Sequence, residues 1–580
     1  MKTNWTDLVD RSCPLPEYPR PQLARDGWIN LNGPWDYAIT RSERQPSDYE
    51  GEILVPFSPE TELSGVGRSL QPGEYLWYRR SLLLPESFRG RHILLHFGAA
   101  DQCAVVWVNG VQVLSHVGGY LPFEADVTEA LAGRELTIVV RVTDDTDKGF
   151  HTRGKQRSRR GGIWYTPQSG IWQTVWLEAV PASYVKSLRI TPDYDRACVE
   201  IVPEIVGGEP AYALFGGASF LLPAEIPVPD FEAWSPENPK LYGFSVRCGE
   251  DLVQSYFAMR KISVETDEQG TRRLFLNGKP YFHNGLLDQG YWPDGLYTAP
   301  TDEALCYDIR VAKAMGYNML RKHIKVEPAR WYYHCDRIGM LVWQDMPCGG
   351  GRYDPLIVSA PLVSGIHLSD RLHFLFGRAS AEGRREFLEE LNEMLRHLYN
   401  CPCIVLWVPF NEGWGQFDAA EVCRRIEAID RTRVVDPASG WHDQKIGKLR
   451  SDHVYFRPYR FRADRKGRAV ALSEFGGYAH KVIGHEFSRK SFGYKSFVTP
   501  AQLELALEDL YQEEVRPAIA QGLCAAVYTQ MSDVEDEING LLTYDRKVVK
   551  VAPERMRALM RGIGGMPEPV KPGDMKETKL

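Results

Sequence analysis

"IVLWVPFNEGWGQ", residues 404–416, is the stretch that decides the fold class. Its first residues are all apolar, which is typical of a strand buried on both faces, and the polar pair Asn411-Glu412 follows almost at once. A carboxylate beside a buried strand is costly unless it is paired or has a chemical role. We therefore take Glu412 as a candidate catalytic residue at the end of a strand.

The run "AVALSEFGG", residues 469–477, repeats this arrangement, because a short apolar strand is followed by a serine and then by Glu474. Two glutamates at strand ends are typical of glycosidases, in which one carboxyl group transfers a proton and the other attacks the sugar. The alternative is that Glu412 caps the following helix and Glu474 pairs with an arginine. The shared strand-end context favours the catalytic interpretation.

The chain after Tyr281 alternates apolar strands with helical segments, which predicts parallel strands joined by crossover helices. One of these helices shows apolar residues three or four apart, as a buried face requires: Ala419, Val422, Ile426 and Ile429. We count eight strand candidates: "YFHNG", "NMLRKH", "MLVWQD", "IVLWV", "RVVDP", "HVYF", "AVALS" and "LCAAVY". Eight such units predict a (β/α)8 TIM barrel, with Glu412 closing strand four and Glu474 closing strand seven at the C-terminal face.

The first half of the chain has short alternating strands and turns instead of a helical period. Residues 27–178 predict a β-sandwich, and residues 185–265, which are richer in proline, predict a second and smaller one. The chain is therefore expected to be a multidomain α and β protein. Its tail from Pro567 is charged and contains proline, and we expect it to fray.

The bulk composition indicates a globular protein, with 580 residues of which 43% are hydrophobic and 25% charged. A net charge of -7 gives no global reason to expect binding to nucleic acid or to an anionic membrane. The N-terminus has no apolar signal core, and the eleven cysteines lack paired spacing, so a cytoplasmic protein with reduced thiols is expected. No metal site and no cofactor are predicted, since no dinucleotide fingerprint stands between a strand and a helix.

Neighbouring residues separate the roles of the two glutamates. Asn411 could hydrogen-bond the sugar hydroxyl next to the anomeric carbon, which makes Glu412 the acid/base and Glu474 the nucleophile. Two carboxylates in one pocket resist being charged together, so we expect the pKa of Glu412 to be raised while Glu474 is ionised. Tyr455, at the end of strand six, is expected to hydrogen-bond Glu474.

With these motifs the chain resembles glycoside hydrolase family 2, which includes β-galactosidases, β-glucuronidases and β-mannosidases. The resemblance rests on "VWVNG", "HVGGYLPFEADVT", "SGIWQTVWLE", "GYNMLRKH", "PFNEGWG" and "SEFGG". It implies a jelly-roll sugar-binding domain over residues 1–182, an immunoglobulin-like sandwich over 183–265 and a catalytic barrel over 266–580 with a short tail. It also implies sugar contacts by Asn411, Tyr455 and Arg321, and a homo-oligomer, either a dimer or a tetramer.

Three positions depart from the family pattern. Asp288 and Gln289 stand where galactosidases and glucuronidases tend to carry a histidine after strand one, and Tyr528 stands in place of a tryptophan on strand eight. The triplet Glu537-Ile538-Asn539 aligns with the Asn-x-Lys signature by which glucuronidases resemble one another and which grips the uronate carboxylate. These departures argue against an ordinary glucuronidase.

Two basic loops bear on the substrate: "HTRGKQRSRR" at 151–160 and "RPYRFRADRKGR" at 457–468, with eleven lysines and arginines between them. We expect them around the barrel mouth, where arginine can bind a carboxylate bidentately, although solvated or subunit-joining loops are an equal alternative. A β-hexuronide, specifically a β-galacturonide, is the predicted sugar, and a neutral β-galactoside is the alternative. Further candidate substrate contacts are Asp288, Trp441, Tyr528, Trp164 and Arg457.

The expected reaction is retaining exo-cleavage of a terminal β-linked sugar, since a jelly-roll loop is expected to close one end of the mouth. A transglycosylase shares the covalent intermediate, and nothing in the sequence separates it from a hydrolase. A rival from another class is a carbohydrate-binding scaffold with a decayed barrel. The survival of Glu412 and Glu474 argues against that scaffold.

Overall fold

The computed structural model describes residues 1–563, and its folded body consists of two β-sandwiches followed by a barrel. The predicted multidomain α and β fold class is thereby confirmed. The predicted limits at 182/183 and 265/266 stay predictions, although the strands Val175–Val180 and Tyr184–Asp193 lie on either side of the first limit. The predicted C-terminal tail lies outside the described residues.

The first sandwich is built from antiparallel strands whose residues alternate between core and surface. In the strand Cys103–Val108, for example, Ala104, Val106 and Val108 are buried and the residues between them are partly exposed. One sheet has four strands in the order Trp28–Asn30, Val175–Val180, His92–Phe97 and Phe123–Asp126. The other has six, in the order Gly51–Val55, Gly33–Thr40, Tyr75–Leu83, Glu135–Thr143, Cys103–Val108 and Val111–Val117. Ala100–Asp101 and Gly170–Ile171 form a separate short pair.

The second sandwich is smaller and has its own apolar core. Its three-stranded sheet has the order Tyr184–Asp193, Cys198–Val206 and Ala224–Pro227. Its four-stranded sheet has the order Ala218–Leu221, Ala211–Phe215, Tyr242–Cys248 and Asp251–Phe257. A further three-stranded meander follows, formed by Ile262–Thr266, Arg272–Leu276 and Lys279–Pro280. Arg273 of this meander donates to the carbonyl of Leu523, so the meander covers the amino end of the barrel.

The barrel consists of eight parallel strands that are almost entirely buried, as expected when helices cover the outer face. In chain order they are His283–Asp288, Met319–Lys322, Leu341–Asp345, Ile404–Val408, Val434–Val435, Leu449–Val454, Ala469–Gly476 and Leu523–Thr529. Neighbours in this order pair with each other except the fifth and the sixth, and the eighth strand pairs with both the first and the seventh. The fifth and sixth strands, which are neighbours in the sequence, form the two edges of the paired sheet.

The α-helices are Asp302–Ala314, Ala329–Ile338, Pro355–Val358, Ala360–Ser364, Ala381–His397, Ala419–Ile429, Pro500–Leu510, Arg516–Gln521 and Pro553–Met560. Tyr511–Val515 is a π-helical turn, and 3-10 turns cover Thr6–Leu8, Glu86–Phe88, Thr128–Ala130 and His373–Phe376. Among the described residues, no helix is long and apolar enough to cross a membrane.

The prediction of eight strand-helix units was wrong at two connections. The chain between the fifth and sixth strands, 436–448, and between the sixth and seventh, 455–468, is described throughout and contains no helix. The first segment carries Pro437, Gly440 and Gly447, and the second carries Pro458 and Gly467, residues that are unfavourable in a helix interior. The predicted helix face is observed, since Ala419, Val422 and Ile426 are buried and Ile429 packs against the same core.

A buried arginine joins the two sandwiches. Arg25 donates to Glu178 of the first sandwich, with 2.9 Å between Nη1 and Oε2, and to both oxygens of Asp251 of the second, at 2.9 and 3.0 Å. All three side chains are buried. Arg20 also donates to Glu178, at 2.6 Å, which compensates the second negative charge of the cluster.

Replacing Arg25 with methionine should destabilise the protein strongly, because the Asp251 and Glu178 carboxylates would stay buried with too little positive charge. We expect the free energy of unfolding to fall by about 3 kcal/mol in urea titrations. The matched variant Arg247→Met removes an exposed arginine of the same sandwich and should change it by less than about 0.5 kcal/mol. Equal effects of the two substitutions would contradict the joining role of Arg25.

Candidate active site

The two strand-end glutamates meet at the C-terminal mouth of the barrel. Glu412 follows the fourth strand with a backbone φ of +51°, and its N–H donates to the carbonyl of Ser439 at 2.9 Å. Such a left-handed conformation is uncommon for a residue other than glycine and turns the side chain away from the strand direction. Glu474 lies within the seventh strand. One carboxylate oxygen of each residue lies within 4.8 Å of the other, and both side chains are buried.

His453, on the sixth strand, lies between the two carboxylates. Its Nδ1 is 2.8 Å from Oε1 of Glu412 and 3.6 Å from Oε2 of Glu474, and its Nε2 is 3.1 Å from the hydroxyl of Ser439. The ring fits there because residue 440 is glycine, whose added Cβ would lie 2.4 Å from the imidazole. Sequence reasoning missed His453. Its place two residues before Tyr455 on one strand was the available signal, because residues i and i+2 share a face.

Tyr455 and Arg321 hold Glu474. The hydroxyl of Tyr455 donates to Oε2 of Glu474, and Nη1 of Arg321 donates to Oε1 at 3.2 Å. Tyr494 stacks on Tyr455 with ring centroids 3.8 Å apart and planes at 6°, so the phenol has little freedom to turn. The nucleophile candidate is thus fixed from two sides.

Arg321 is fully buried and also orients Asn411. It forms a bidentate pair with Asp345, with both nitrogen to oxygen distances at 3.0 Å, and donates to Oδ1 of Asn411 at 2.8 Å. Because Oδ1 is held, the amide group Nδ2 of Asn411 points away from the arginine, and it has no hydrogen-bond partner within residues 1–563. A buried donor left free beside the two glutamates can bind a substrate hydroxyl.

The pKa of Glu412 differs from the expectation. Burial acts to raise it, as predicted, but the hydrogen bond and charge of His453, the charge of Lys155 and the hydrogen bond from Trp414 together lower it below its ordinary value. The expected rise was wrong for the free protein, because sequence reasoning considered the neighbouring carboxylate and not the imidazole between the two.

An aromatic wall flanks Glu412. The indole Nε1 of Trp414 donates to Oε2 of Glu412 at 3.2 Å, and Trp414 contacts Trp164 of the first sandwich edge to face, with centroids 5.3 Å apart. Trp441 is half-buried and its N–H donates to the carbonyl of Ser439, which also accepts from Glu412. Flat apolar rings of this kind can pack against a sugar ring or an aglycone.

The remaining candidate substrate contacts lie in different settings. Asp288 is buried and bonded to Lys322 at 2.7 Å and to the N–H of Gly290 at 2.9 Å. Tyr528 is buried, and its hydroxyl accepts from the N–H of Tyr478 at 3.1 Å. Arg457 is exposed and makes no hydrogen bond or ion pair with any other described residue. The proposed contacts of these three residues with the sugar stay predictions.

The two basic loops differ in their relation to the glutamates. In the second loop, Arg468 pairs with Asp443 and Asp464, and the other five cations are exposed: Arg457, Arg460, Arg462, Arg465 and Lys466. In the first loop, residues 152–156 are buried against the barrel, and a bridge joins Thr152 to Gly349 after the third strand. Of the two loops, only the first supplies a cation, Lys155, whose charge acts on Glu412.

Glu537, in the triplet that departs from the family signature, is buried beneath the first loop. It accepts hydrogen bonds from the hydroxyl of Tyr165 and from Nδ2 of Asn539, the latter at 3.0 Å. Burial raises its pKa, although Lys155 acts in the opposite direction. Comparison with the family's Asn-x-Lys pattern identified this position, but its contact with the first sandwich could not be predicted from the barrel sequence.

Two groups of side chains have the spacing of metal ligands. One consists of Glu412, His453 and Glu474, in which the carboxylate oxygens already accept from protein donors. The other consists of Asp302, Cys306 and His334, where Arg330 pairs with Asp302 and Arg337 donates to the other two. Guanidinium groups beside the ligands disfavour a cation. The absence of a metal and of a cofactor stays a prediction.

Two family models match the chain. The sugar binding domain of glycosyl hydrolases family 2 matches residues 69–181, and the TIM barrel domain of the same family matches residues 270–521. Among curated proteins, the β-galactosidase of Thermoanaerobacter pseudethanolicus is 23% identical over 488 residues, which are 79% of this chain and 60% of that protein. The β-glucuronidase of Sus scrofa is 25% identical over 482 residues, with 73% of this chain and 69% of that protein covered.

Solved structures share the fold at low identity. A β-glucuronidase from Ruminococcus gnavus in complex with uronic isofagomine has a TM-score of 0.74 at 17% identity, with 94% of this chain and 100% of that chain covered. A β-galacturonidase from Eisenbergiella tayi bound to glycerol has a TM-score of 0.70 at 18% identity, with 95% and 100% covered. Since the two family models together match more than half of the chain, the protein belongs to family 2 of the glycosyl hydrolases and is a glycosidase.

Proposed function

We propose that the protein is a retaining exo-β-glycosidase that removes a terminal β-linked sugar by double displacement. The observation that carries this proposal is the approach of Glu412 and Glu474 oxygens to within 4.8 Å of each other. A retaining glycosidase needs its carboxyl groups about 5 Å apart, whereas an inverting one needs roughly 6.5 to 9.5 Å to fit a water molecule.

In the first step an oxygen of Glu474 attacks the anomeric carbon while the bond to the leaving oxygen breaks. Glu412 gives its proton to that oxygen, so the aglycone leaves as a neutral alcohol and Glu474 becomes a glycosyl ester. Arg321 and Tyr455 fix the attacking carboxylate, which lowers the orientational cost of the step. Because Tyr455 and Arg321 hold opposite oxygens, the attacking oxygen must loosen one hydrogen bond as it bonds to carbon.

In the second step Glu412, now a carboxylate, takes a proton from water, and the water oxygen displaces Glu474 from the anomeric carbon. The free amide of Asn411 supports both steps, because it can hydrogen-bond the neighbouring sugar hydroxyl as positive charge develops on the ring. Two inversions at one carbon give overall retention.

The exo mode is supported by the first loop. Its residues Thr152 and Gly154 lie against the chain after the third barrel strand, where the N–H of Gly154 donates to the carbonyl of Cys348 at 3.0 Å. A loop fixed there blocks one side of the mouth and leaves room for a chain end. Endo-cleavage of an internal bond would contradict this mode.

For the terminal sugar we favour a β-hexuronide, and among hexuronides a β-galacturonide over a β-glucuronide. The support is the cation that the first loop brings to the mouth, together with the replacement of the Asn-x-Lys signature by Glu537-Ile538-Asn539. A neutral β-galactoside is the second candidate, favoured by the buried carboxylate of Glu537, which could accept from sugar hydroxyls.

Substitution of each glutamate by glutamine should separate their roles. Glu474→Gln should abolish covalent labelling by a 2-fluoro sugar with a dinitrophenyl leaving group, since the nucleophile is gone. Glu412→Gln should still label slowly, and its turnover of substrates with poor leaving groups should fall about 10² to 10⁴-fold. Mass spectrometry of the intact protein gives the readout, with exposed Glu508→Gln as the control. Equal labelling of both variants would contradict the assigned roles.

Removing His453 should change the pH profile in a defined direction. His453 lowers the pKa of Glu412, so in His453→Gln that pKa should rise. Because the first step needs Glu412 protonated, the alkaline limb of kcat/KM should move to higher pH. The control His92→Gln removes a histidine far from the barrel mouth and should leave the limb unchanged. An unmoved or lowered limb in His453→Gln would argue against Glu412 as the acid.

The sugar is tested with p-nitrophenyl β-galacturonide, β-glucuronide, β-galactoside, β-glucoside and β-mannoside. We expect kcat/KM to be highest for the galacturonide, with the glucuronide next, because relative kcat/KM values report transition-state contacts with each substituent. Higher kcat/KM for the galactoside than for either uronide would favour the second candidate. No release of p-nitrophenol together with oligosaccharide binding would identify a carbohydrate-binding scaffold.

A further inference from the structure

Lys155 has a buried side chain whose ammonium group makes no hydrogen bond and no ion pair with any described residue. It lies in the first basic loop, and only 7% of its surface is exposed. Among residues 1–563 its Nζ donates no hydrogen bond and has no carboxylate oxygen within 4.0 Å. A largely buried charge is unfavourable unless an opposite charge and hydrogen-bond acceptors lie beside it. Lys155 therefore lacks a hydrogen-bonding anion, which a ligand could supply.

The position of Lys155 is fixed by its backbone. The N–H groups of Arg153 and Gly154 both donate to the carbonyl of Cys348, at 2.9 and 3.0 Å, and the carbonyl of Lys155 accepts from Tyr165 at 3.0 Å. Gly154 is packed so closely that an added Cβ would lie 2.8 Å from the hydroxyls of Tyr120 and Tyr297. The loop is therefore a rigid part of the mouth.

Two chains of contacts connect Lys155 to the catalytic centre. On one side, Nζ lies 5.8 Å from the ring centroid of Trp164, which contacts Trp414, the indole that donates to Glu412. On the other side, Tyr165 donates to Glu537. The charge of Lys155 lowers the pKa of Glu412 and opposes the raised pKa of Glu537, so the ammonium group lies within electrostatic range of both carboxylates.

Most of the other cations of the two basic loops that contact the folded body already have partners. Arg153 donates to the carbonyl of Gly350, and Arg468 pairs with Asp443 and Asp464. Arg160 is paired with Glu535 and Asp536. Arg157 covers the Trp164 ring at 3.7 Å without a carboxylate partner among the described residues, so it adds positive charge beside Lys155.

We propose that Lys155 binds the carboxylate of the terminal β-hexuronide, so that the first sandwich supplies the group that selects the sugar. This inference rests on the proposed function and names the residue that carries its substrate preference. A neutral sugar would leave the ammonium group of Lys155 without a hydrogen-bonded counter-charge, whereas a carboxylate gives it a charge-assisted hydrogen bond. Lys155 is accordingly a specificity-determining residue that touches the substrate and takes no part in proton transfer.

The test pairs a change in the protein with the same change in the ligand. Isofagomine and its carboxylated analogue, uronic isofagomine, are bound to the wild-type protein and to Lys155→Met, and Kd is measured by calorimetry for all four combinations. We expect the wild-type protein to bind the carboxylated analogue more tightly than isofagomine. In Lys155→Met this ratio of affinities should fall by at least about 30-fold, because one partner of a buried charged pair is removed. Lys155→Arg should recover part of it, since it restores the charge.

Two controls separate a specific effect from misfolding. Arg159→Met removes an exposed cation of the same loop and should leave the preference within about twofold of wild type. Unchanged affinity of Lys155→Met for neutral isofagomine, to within a factor of a few, would show an intact pocket. If Lys155→Met binds neither analogue, the proposal is judged on Lys155→Gln and Lys155→Arg instead. Failure of Lys155→Arg to recover any preference for the carboxylated analogue would overturn the proposal.

The outcomes distinguish the two proposals. A wild-type protein with no preference for the carboxylated analogue, and with higher kcat/KM for the galactoside, would overturn the hexuronide assignment and this inference with it. A wild-type preference that survives in Lys155→Met would leave the hexuronide assignment standing and would show that another group binds the carboxylate. Loss of the preference in Lys155→Met and its partial return in Lys155→Arg would support both.

Discussion

The buried guanidinium of Arg321 is the constraint on which the site depends. It comes from the second barrel strand and reaches Asp345 at the end of the third, Asn411 after the fourth and both Ser473 and Glu474 on the seventh. Burying such a charge is unfavourable unless every donor makes a hydrogen bond. Here the guanidinium donates to all four of these residues. Arg321 thus holds both Glu474, the proposed nucleophile, and Asn411, whose amide would hydrogen-bond the sugar hydroxyl. Neither side chain can move without disturbing the hydrogen bonds of the other.

The position of His453 determines how negative charge is shared between the carboxyl groups of Glu412 and Glu474. His453 touches Glu412 directly and lies farther from Glu474, so its proton favours the ionised form of Glu412 before substrate arrives. This arrangement avoids two unshielded carboxylates within 4.8 Å of each other. In the proposed second step Glu474 is an uncharged ester, and the imidazole and Glu412 remain as a pair suited to accept a proton from water. In that mechanism the imidazole assists the second step more directly than the first.

The sequence was sufficient to predict the barrel, the two sandwiches and the meeting of the strand ends. Strand periodicity and the apolar runs identify which residues lie at the mouth, because the carboxyl ends of parallel strands share one face. That rule located Glu412, Glu474 and Tyr455, and Asn411 was located as the neighbour of Glu412, whereas Arg321 was expected only from the resemblance to glycoside hydrolase family 2. Two connections without helices were missed, because the count of strands gave no information on what joins them.

Other features could not be found because they depend on contacts between distant parts of the chain. The lowered pKa of Glu412 requires knowing that His453 lies between the carboxylates, which in turn requires the small residue Gly440 from another connection. The significance of Lys155 depends on docking of a sandwich loop against the barrel. In the sequence it is one of eleven cations, and composition could not distinguish it from the ten that are exposed, paired or stacked.

The division of labour between domains follows from these contacts. Every group that touches the anomeric carbon in the proposed mechanism lies on the barrel, whereas Lys155, Trp164 and Tyr165 belong to the first sandwich. Because Arg321 fixes the geometry of the site, the substrate preference of the barrel can change only through residues outside the hydrogen bonds of Arg321. The sandwich loop satisfies this condition, since its backbone is held by Cys348 and Gly349 and its Lys155 makes no hydrogen bond to the Arg321 network. Variation in loop side chains can therefore alter substrate preference at little cost to the catalytic geometry.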